Sequence, residues 1–182
     1  KELIIGLLGY CHDEDIIRYI AKEIESEYKN IRLQVIYTLK ETNSAKAIPI
    51  LIKRFDKLSK QMNEENESER HTLIESIKDM VALTVNKNKP GNEIILSLVN
   101  TTLESYLSDK DWYVRETVEE ILKMLRNKTI LKKLVEKASS SDPELKYKAA
   151  KELSYYNDDE AINTLIKLLN DRNPKVRFRA AV

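Results

Sequence analysis

Cys11-His12-Asp13 and His71 are the first residues to weigh for chemistry, since a thiol, an imidazole and a carboxylate are the parts of a nucleophilic triad. Adjacent residues cannot turn their side chains onto one another as a triad needs. Asp13 has a simpler role as the N-cap of the helix that follows. Two histidines and one cysteine without ligand spacing make no metal site. Asp158-Asp159-Glu160 offers carboxylates for a cation or for acid–base work. Three acids in the first turn of a helix also complement its macrodipole, and Asp13-Glu14-Asp15 occupies the aligned position, so the helical reading is preferred. The expectation is a chain without catalytic residues, metal or cofactor, and not an enzyme.

The elements around these residues follow from composition. The 182 residues include only 3 Gly and 4 Pro, too few for an all-β fold that turns every ten residues. Gly6, Gly9 and Gly91 cannot supply a dinucleotide fingerprint, and no GxxxxGK[ST] loop occurs. One cysteine excludes an internal disulfide and suggests a reducing compartment. No apolar run reaches the 18 residues of a membrane span. A mostly helical, cytoplasmic protein with no membrane contact is expected. Residues 1–91 carry 15 basic and 15 acidic side chains and residues 92–182 carry 16 and 15, so neither half has the positive excess that nucleic acid demands.

An internal repeat decides the architecture. Asp111-Trp-Tyr-Val-Arg, Asp142-Pro-Glu-Leu-Lys and Asn173-Pro-Lys-Val-Arg start 31 residues apart, and Tyr10–Arg32 aligns without gaps to Tyr155–Arg177. Each unit resolves into two helices. One apolar slot of the first helix holds Ile20, Leu51, Leu103, Leu134 and Leu165, and the slot a turn later holds Ile24, Phe55, Leu107, Ala138 and Leu169. In the second helix Ile31/Val35/Leu39, Val114/Val118/Leu122 and Leu145/Ala149/Leu153 keep i, i+4, i+8 spacing. Asp13, Ser44, Asn127 and Asp158 precede first helices as N-caps. Asp142-Pro143 and Asn173-Pro174 place a cap before a proline at the first helical position, and Asp111 repeats the cap alone.

Ala161-Ile-Asn-Thr-Leu-Ile-Lys-Leu-Leu-Asn-Asp-Arg-Asn-Pro-Lys-Val-Arg-Phe-Arg-Ala-Ala181 resembles the HEAT repeat family, in particular the short HEAT-like repeats of the phycobilisome-lyase type. The resemblance implies an all-α right-handed α-solenoid, or superhelix, of about five helical hairpins with second helices on the concave side. It also implies a polar ladder between repeats from an Asp and an Arg six residues apart. These are Asp109/Arg115 and Asp171/Arg177 here, with Ser26/Arg32 and Ser140/Lys146 as partial matches, so the ladder is expected to be interrupted. HEAT-repeat hydroxylases use His-Glu pairs, and this chain has none. HEAT-like DNA glycosylases use several aromatics and a carboxylate in a basic groove, and here there is one Trp.

One unit is irregular, since its first-helix slot moves from 47 to 99, or 52 residues rather than 31. Insertions at 56–72 and 86–92 are expected in a single repeat domain, 1–182, that is a fragment of a longer array. Asn63 to Glu69 reads as a polar projecting tip, so that deleting Lys57 to Glu67 leaves stability nearly unchanged, and Asn86 to Asn92 reads as an exposed loop. Lys123, Arg126, Lys128, Lys132, Lys133 and Lys137, with Arg172, Lys175, Arg177 and Arg179, cluster at recurring turns as solvated charges or a basic ridge. The expected function is a non-catalytic scaffold that binds another protein on its concave face through Trp112, Tyr113, Arg115, Tyr147, Lys148, Lys151 and Phe178. The alternatives are a regulatory or sensing arm of a larger enzyme, or a nucleic-acid-binding module using the basic turns.

Overall fold

The computed structural model describes Ile5 and residues 14–61, 64–87 and 91–182. Cys11, His12 and the cap Asp13 lie outside the described residues. Among those described there is no strand. The helices are α1 (Glu14–Ala21), α2 (Lys29–Glu41), α3 (Ile48–Lys60), α4 (Glu64–Lys87), α5 (Asn92–Leu103), α6 (Trp112–Ala138), α7 (Pro143–Leu153), α8 (Asp159–Leu168) and α9 (Pro174–Ala181). Short 3-10 turns at Lys22–Glu25, Ala45–Ala47 and Glu104–Ser108 join some of them. The chain forms two compact units, Lys1–Leu125 and Arg126–Val182.

In the first unit α3 packs on α4 and α5, and α2 packs on α4. The repeat slots form its core, with Ile20, Ile24, Val35, Leu39, Leu51, Phe55, Leu103, Val114, Val118 and Leu122 all buried. Leu73, Ile77 and Val81 of the inserted α4 join them. In the second unit Leu134, Ala138, Ala149, Leu153, Leu168 and Val176 are buried together. Two slots slip. Leu107 lies in the 3-10 turn after α5 and is exposed, because tighter winding brings Tyr106 onto the Phe55 ring instead, with centroids 5.0 Å apart. Leu169 lies just past the end of α8 and is exposed, and Leu168 takes the buried place. Leu145 is also largely exposed.

Side-chain oxygens cap the helices as the repeat requires. Asp111 accepts from the Tyr113 amide (3.0 Å), Asp142 from Glu144 (2.8 Å), Asp158 from Glu160 (2.8 Å) and Asn173 from Lys175 (2.9 Å). Ser44 precedes a 3-10 turn and makes no cap bond. Asn127 is no cap at all, because α6 runs unbroken from Trp112 to Ala138. Lys123-Met-Leu-Arg are good helix formers, and no Gly or Pro follows before Leu131 to stop the helix. At the equivalent place after α2 the chain turns at Asn43, in left-handed conformation with φ 50°. The loop expected from Asn86 to Asn92 is shorter, since α4 continues through Lys87 and α5 starts at Asn92. Gly91 caps α5 at φ 88°, a backbone angle that a side chain resists.

At Ser26/Arg32, one of the two units that lack the Asp, the backbone bonds of the polar ladder persist. Arg32, Arg115 and Arg177 each donate Nη1 to the carbonyls six and five residues back, at 2.7 to 3.1 Å, whatever side chain stands there. Ser26 at the start of one such turn is therefore no obstacle. Arg32 also reaches Glu69 of α4 (2.8 Å), which is fully buried and takes Arg54 on its other oxygen (2.8 Å). Arg70 is buried next to it and donates to Asp109 (2.7 Å) and Ser59 (3.1 Å), with its guanidinium 5.6 Å from the Phe55 ring. In the second unit Lys146 reaches Asp171 (2.6 Å). The stretch read as a polar tip is thus helical from Glu64, and its last residue, Glu69, is buried beside Arg70. The segment Lys57 to Glu67 carries the buried Leu58 as well as Ser59, the acceptor of Arg70, so its removal is expected to destabilise the unit.

These contacts act on the carboxyls. At Glu25 burial pulls upward but is outweighed by Lys57 and Arg54, which hold the group below its usual range. Lys60 and the Tyr106 hydroxyl hold Asp56 low, and Lys146 with the Asn173 amide does the same for Asp171. The Tyr106 hydroxyl is pushed well up by burial and by Asp56.

Two outcomes are expected. Glu69→Ala removes the acceptor shared by Arg32 and the buried Arg54 and costs about 3 to 5 kcal/mol in urea unfolding, and deleting Lys57 to Glu67 lowers the melting temperature sharply. Unchanged unfolding in both variants overturns the buried ion cluster. The lowered carboxyls titrate below their unfolded values of 3.8 for Asp and 4.5 for Glu. Their contribution is whole above those values and is lost as pH falls through the lower folded ones. The melting temperature measured against pH therefore drops below about pH 4, and Asp56→Asn and Glu25→Gln flatten that drop.

Candidate functional site

Within the second unit α7 and α9 start alike, with Asp142-Pro143 and Asn173-Pro174, because the repeat returns the same residues after 31 positions. Five residues after each cap stands an aromatic, Tyr147 on α7 and Phe178 on α9. The two prolines and two rings, with Glu144 and Lys175, line an open groove of about 770 Å³. Phe178 is 67% exposed, whereas Tyr147 is half-buried against the Leu131–Val176 core. Both caps are occupied by their own helix amides, and no histidine or cysteine lines the groove. The arrangement offers rigid rings and prolines for contact, with polar groups at the rim.

The remaining expected contacts separate. Lys148 and Lys151 are exposed on α7 but do not line the groove, and Lys148 lies 3.6 Å from Glu144 of its own helix. Trp112, Tyr113 and Arg115 stand at the start of α6 in the first unit. Trp112 is 63% exposed and meets the Tyr113 ring edge-on, centroids 5.8 Å apart. Tyr113 is engaged internally, donating its hydroxyl to Glu75 (2.6 Å) and packing on the His71 ring at 4.6 Å. That bond, with burial, raises the tyrosine hydroxyl. Burial also pulls Glu75 upward but is outweighed by Tyr113 and Lys78, which hold it low. Arg115 holds backbone carbonyls. Thr117, one helical turn after Tyr113, is buried and donates its hydroxyl to the Tyr113 carbonyl (2.9 Å).

The basic residues from Lys123 to Lys137 do not lie at turns, as expected, but along the single helix α6. Lys128 is paired with Glu160 (2.9 Å). Asp158 and Asp159 occupy the cap and first turn of α8, as the macrodipole reading has it.

One group escaped the sequence reading. His71 on α4 meets Asp111 at 2.6 Å (Nε2 to Oδ2), and Glu67 stands one helical turn before His71. One potential ligand atom from each of Glu67, His71 and Asp111 falls within 4.8 Å of the others. At Asp111 burial pulls upward, but the hydrogen bond and charge of His71 and the Tyr113 and Val114 amides hold the carboxyl low. The i, i+4 pair on α4 is visible in the sequence. The third member, 40 residues further on, is brought in only by the fold.

HEAT repeats match residues 131–182. No curated protein matches the chain. Among solved structures, the CpcE–CpcF complex of phycocyanin lyase from Nostoc sp. PCC7120 aligns with 97% of this chain and 70% of that one, at 14% identity and a TM-score of 0.44. One engineered protein aligns over 99% of this chain and 87% of its own length at 14% identity, TM-score 0.38. A second covers 91% of this chain and 46% of its own at 17% identity, TM-score 0.38. No described helix is long and apolar enough to cross a membrane. Residues 131–182, where Asx-Pro-capped helices return after 31 positions, are the part of this chain that matches HEAT repeats.

Proposed function

We propose that this chain is a non-catalytic protein-interaction module that takes its partner in the groove between α7 and α9. The observation that carries the reading is Phe178, a large aromatic left two-thirds exposed next to Tyr147, Pro143 and Pro174. Aromatic rings in a preformed groove provide contact area at low entropic cost and are enriched among residues that dominate binding. Glu144 and Lys175, which line the groove, supply rim charge that orients a partner rather than setting its affinity. Trp112 is a further exposed aromatic. Tyr113 and Arg115 leave the contact set, because both are occupied in holding their own unit together.

The phosphate-binding alternative has less support. Lys128, Lys146 and Arg177 are taken up by Glu160, Asp171 and backbone carbonyls, which leaves fewer side chains for phosphates. A regulatory arm of a larger enzyme is compatible with the same groove, since such an arm also works by holding a partner.

Phe178→Ser removes the exposed ring without opening the core. Partners captured from lysate by the wild-type chain are expected to fall at least tenfold with this variant, and with Phe178→Ser/Tyr147→Phe, while the melting temperature stays within a few degrees. Undiminished capture of every partner sinks the groove assignment.

A further inference from the structure

We propose that Glu67, His71 and Asp111 form a surface site for a divalent cation of the zinc class. The three side chains come from two elements. Glu67 and His71 are one turn apart on α4 and share a face, and Asp111 is the cap residue of α6. Their candidate donor atoms already lie within 4.8 Å of one another. One imidazole nitrogen with two carboxylate oxygens suits a borderline divalent ion better than a hard one. Partial exposure leaves room for water to complete the coordination.

Two of the donors are held before any ion arrives. The His71 ring lies against Tyr113 at 4.6 Å. Asp111 accepts from the Tyr113 amide through Oδ1 (3.0 Å), and its own amide donates to Asp109 (2.9 Å). Oδ2 is thus the oxygen left for His71 and for an ion. Bonds of about 2.0–2.2 Å to one tetrahedral ion separate neighbouring donors by roughly 3.4 Å. The present 2.6 Å between Nε2 and Oδ2 must therefore open by less than about 1 Å, with metal bonds replacing the hydrogen bond.

A separate observation points to that same oxygen. Arg70 is 1% exposed, and its Nη1 is buried without a hydrogen-bond partner. Nη1 lies 3.9 Å from Asp111 Oδ2, just beyond bonding range. A shift of Oδ2 that closes this gap gives the orphaned donor its acceptor and leaves the ligating carboxylate hydrogen-bonded from behind, as metal ligands ordinarily are. The guanidinium charge opposes a cation, but it is matched by Asp109 at 2.7 Å. Glu67 and Asp111 therefore face the ion as two carboxylates against a locally neutral pair.

The test is calorimetric titration of the chain with Zn²⁺ at neutral pH, alongside thermal melts with and without the ion. One Zn²⁺ per chain and a raised melting temperature are expected. Glu67→Gln, on the surface, and Asp111→Asn, which keeps a capping oxygen, should each weaken binding at least tenfold, and His71→Ala should abolish it. His12→Ala, which alters the other histidine, should leave binding unchanged. Mg²⁺ should not compete at equal concentration. No Zn²⁺ binding, or binding that persists in Glu67→Gln and His71→Ala, or that disappears in His12→Ala, overturns the site.

Discussion

A buried carboxylate between two guanidinium groups organises the first unit. Glu69 has no access to water, and each of its oxygens is shared with an arginine from a different helix, Arg32 of α2 and Arg54 of α3. Taking a charge out of water costs several kcal/mol before any partner is met. Such a residue is tolerated only if α2, α3 and α4 hold their places relative to one another. The apolar stripes shield these helices from water, but stripes of leucine and isoleucine are forgiving of small slides along a helix. A doubly paired carboxylate is not, and it fixes the position of the inserted helix among its neighbours.

The same logic divides labour within each ladder residue. Asp109 and Asp171 each accept at Oδ1 from the amide two residues on, locking the turn before a second helix, and at Oδ2 from a cation of an earlier element. Ser26 and Ser140 manage the first task, with hydroxyls facing the Tyr28 and Asp142 amides, but have no charge for the second. In the first unit the inserted α4 makes good the difference. Glu69 accepts the cation of the preceding repeat, and Arg70 passes one on to Asp109. The insertion lengthens the unit without breaking the electrostatic chain.

How far the sequence disclosed this depends on what each residue type reveals about its partners. The repeat slots were legible because an apolar residue returning every 31 positions has one physical meaning, and Ile20, Leu51, Leu103, Val114 and Val118 are buried as their spacing demands. Caps were legible where a proline followed, at Asp142 and Asn173. Asn127 shows the limit, since a cap-forming residue marks a helix start only if something stops the helix before it. Glu69 and Arg70 were illegible for a different reason. A run of charges reads as solvated unless its counter-charges are seen, and Arg32, Arg54 and Asp109 lie 15 to 39 residues away along the chain. Tyr113 was illegible for the same reason, since its partner Glu75 lies 38 residues away along the chain. Tyr147 and Phe178 needed no distant partner, and repetition alone brought them to one groove.

Arg70 connects the buried ion ladder to the histidine–carboxylate cluster. By holding Asp109 it fixes the loop whose next steps are the Asp111 amide, the Asp111 cap and the Tyr113 ring behind His71. The histidine–carboxylate cluster is thus built on the last rung of the buried ladder, and its geometry depends on charges that lie outside it. The groove of the second unit stands on a different footing, since its walls are set by two proline-started helices and a small alanine-rich core. One surface is positioned by electrostatics that tolerate few substitutions, and the other by a repeat that can vary its exposed rings freely. Variation in the exposed rings can therefore change what the groove holds without touching what keeps the chain folded.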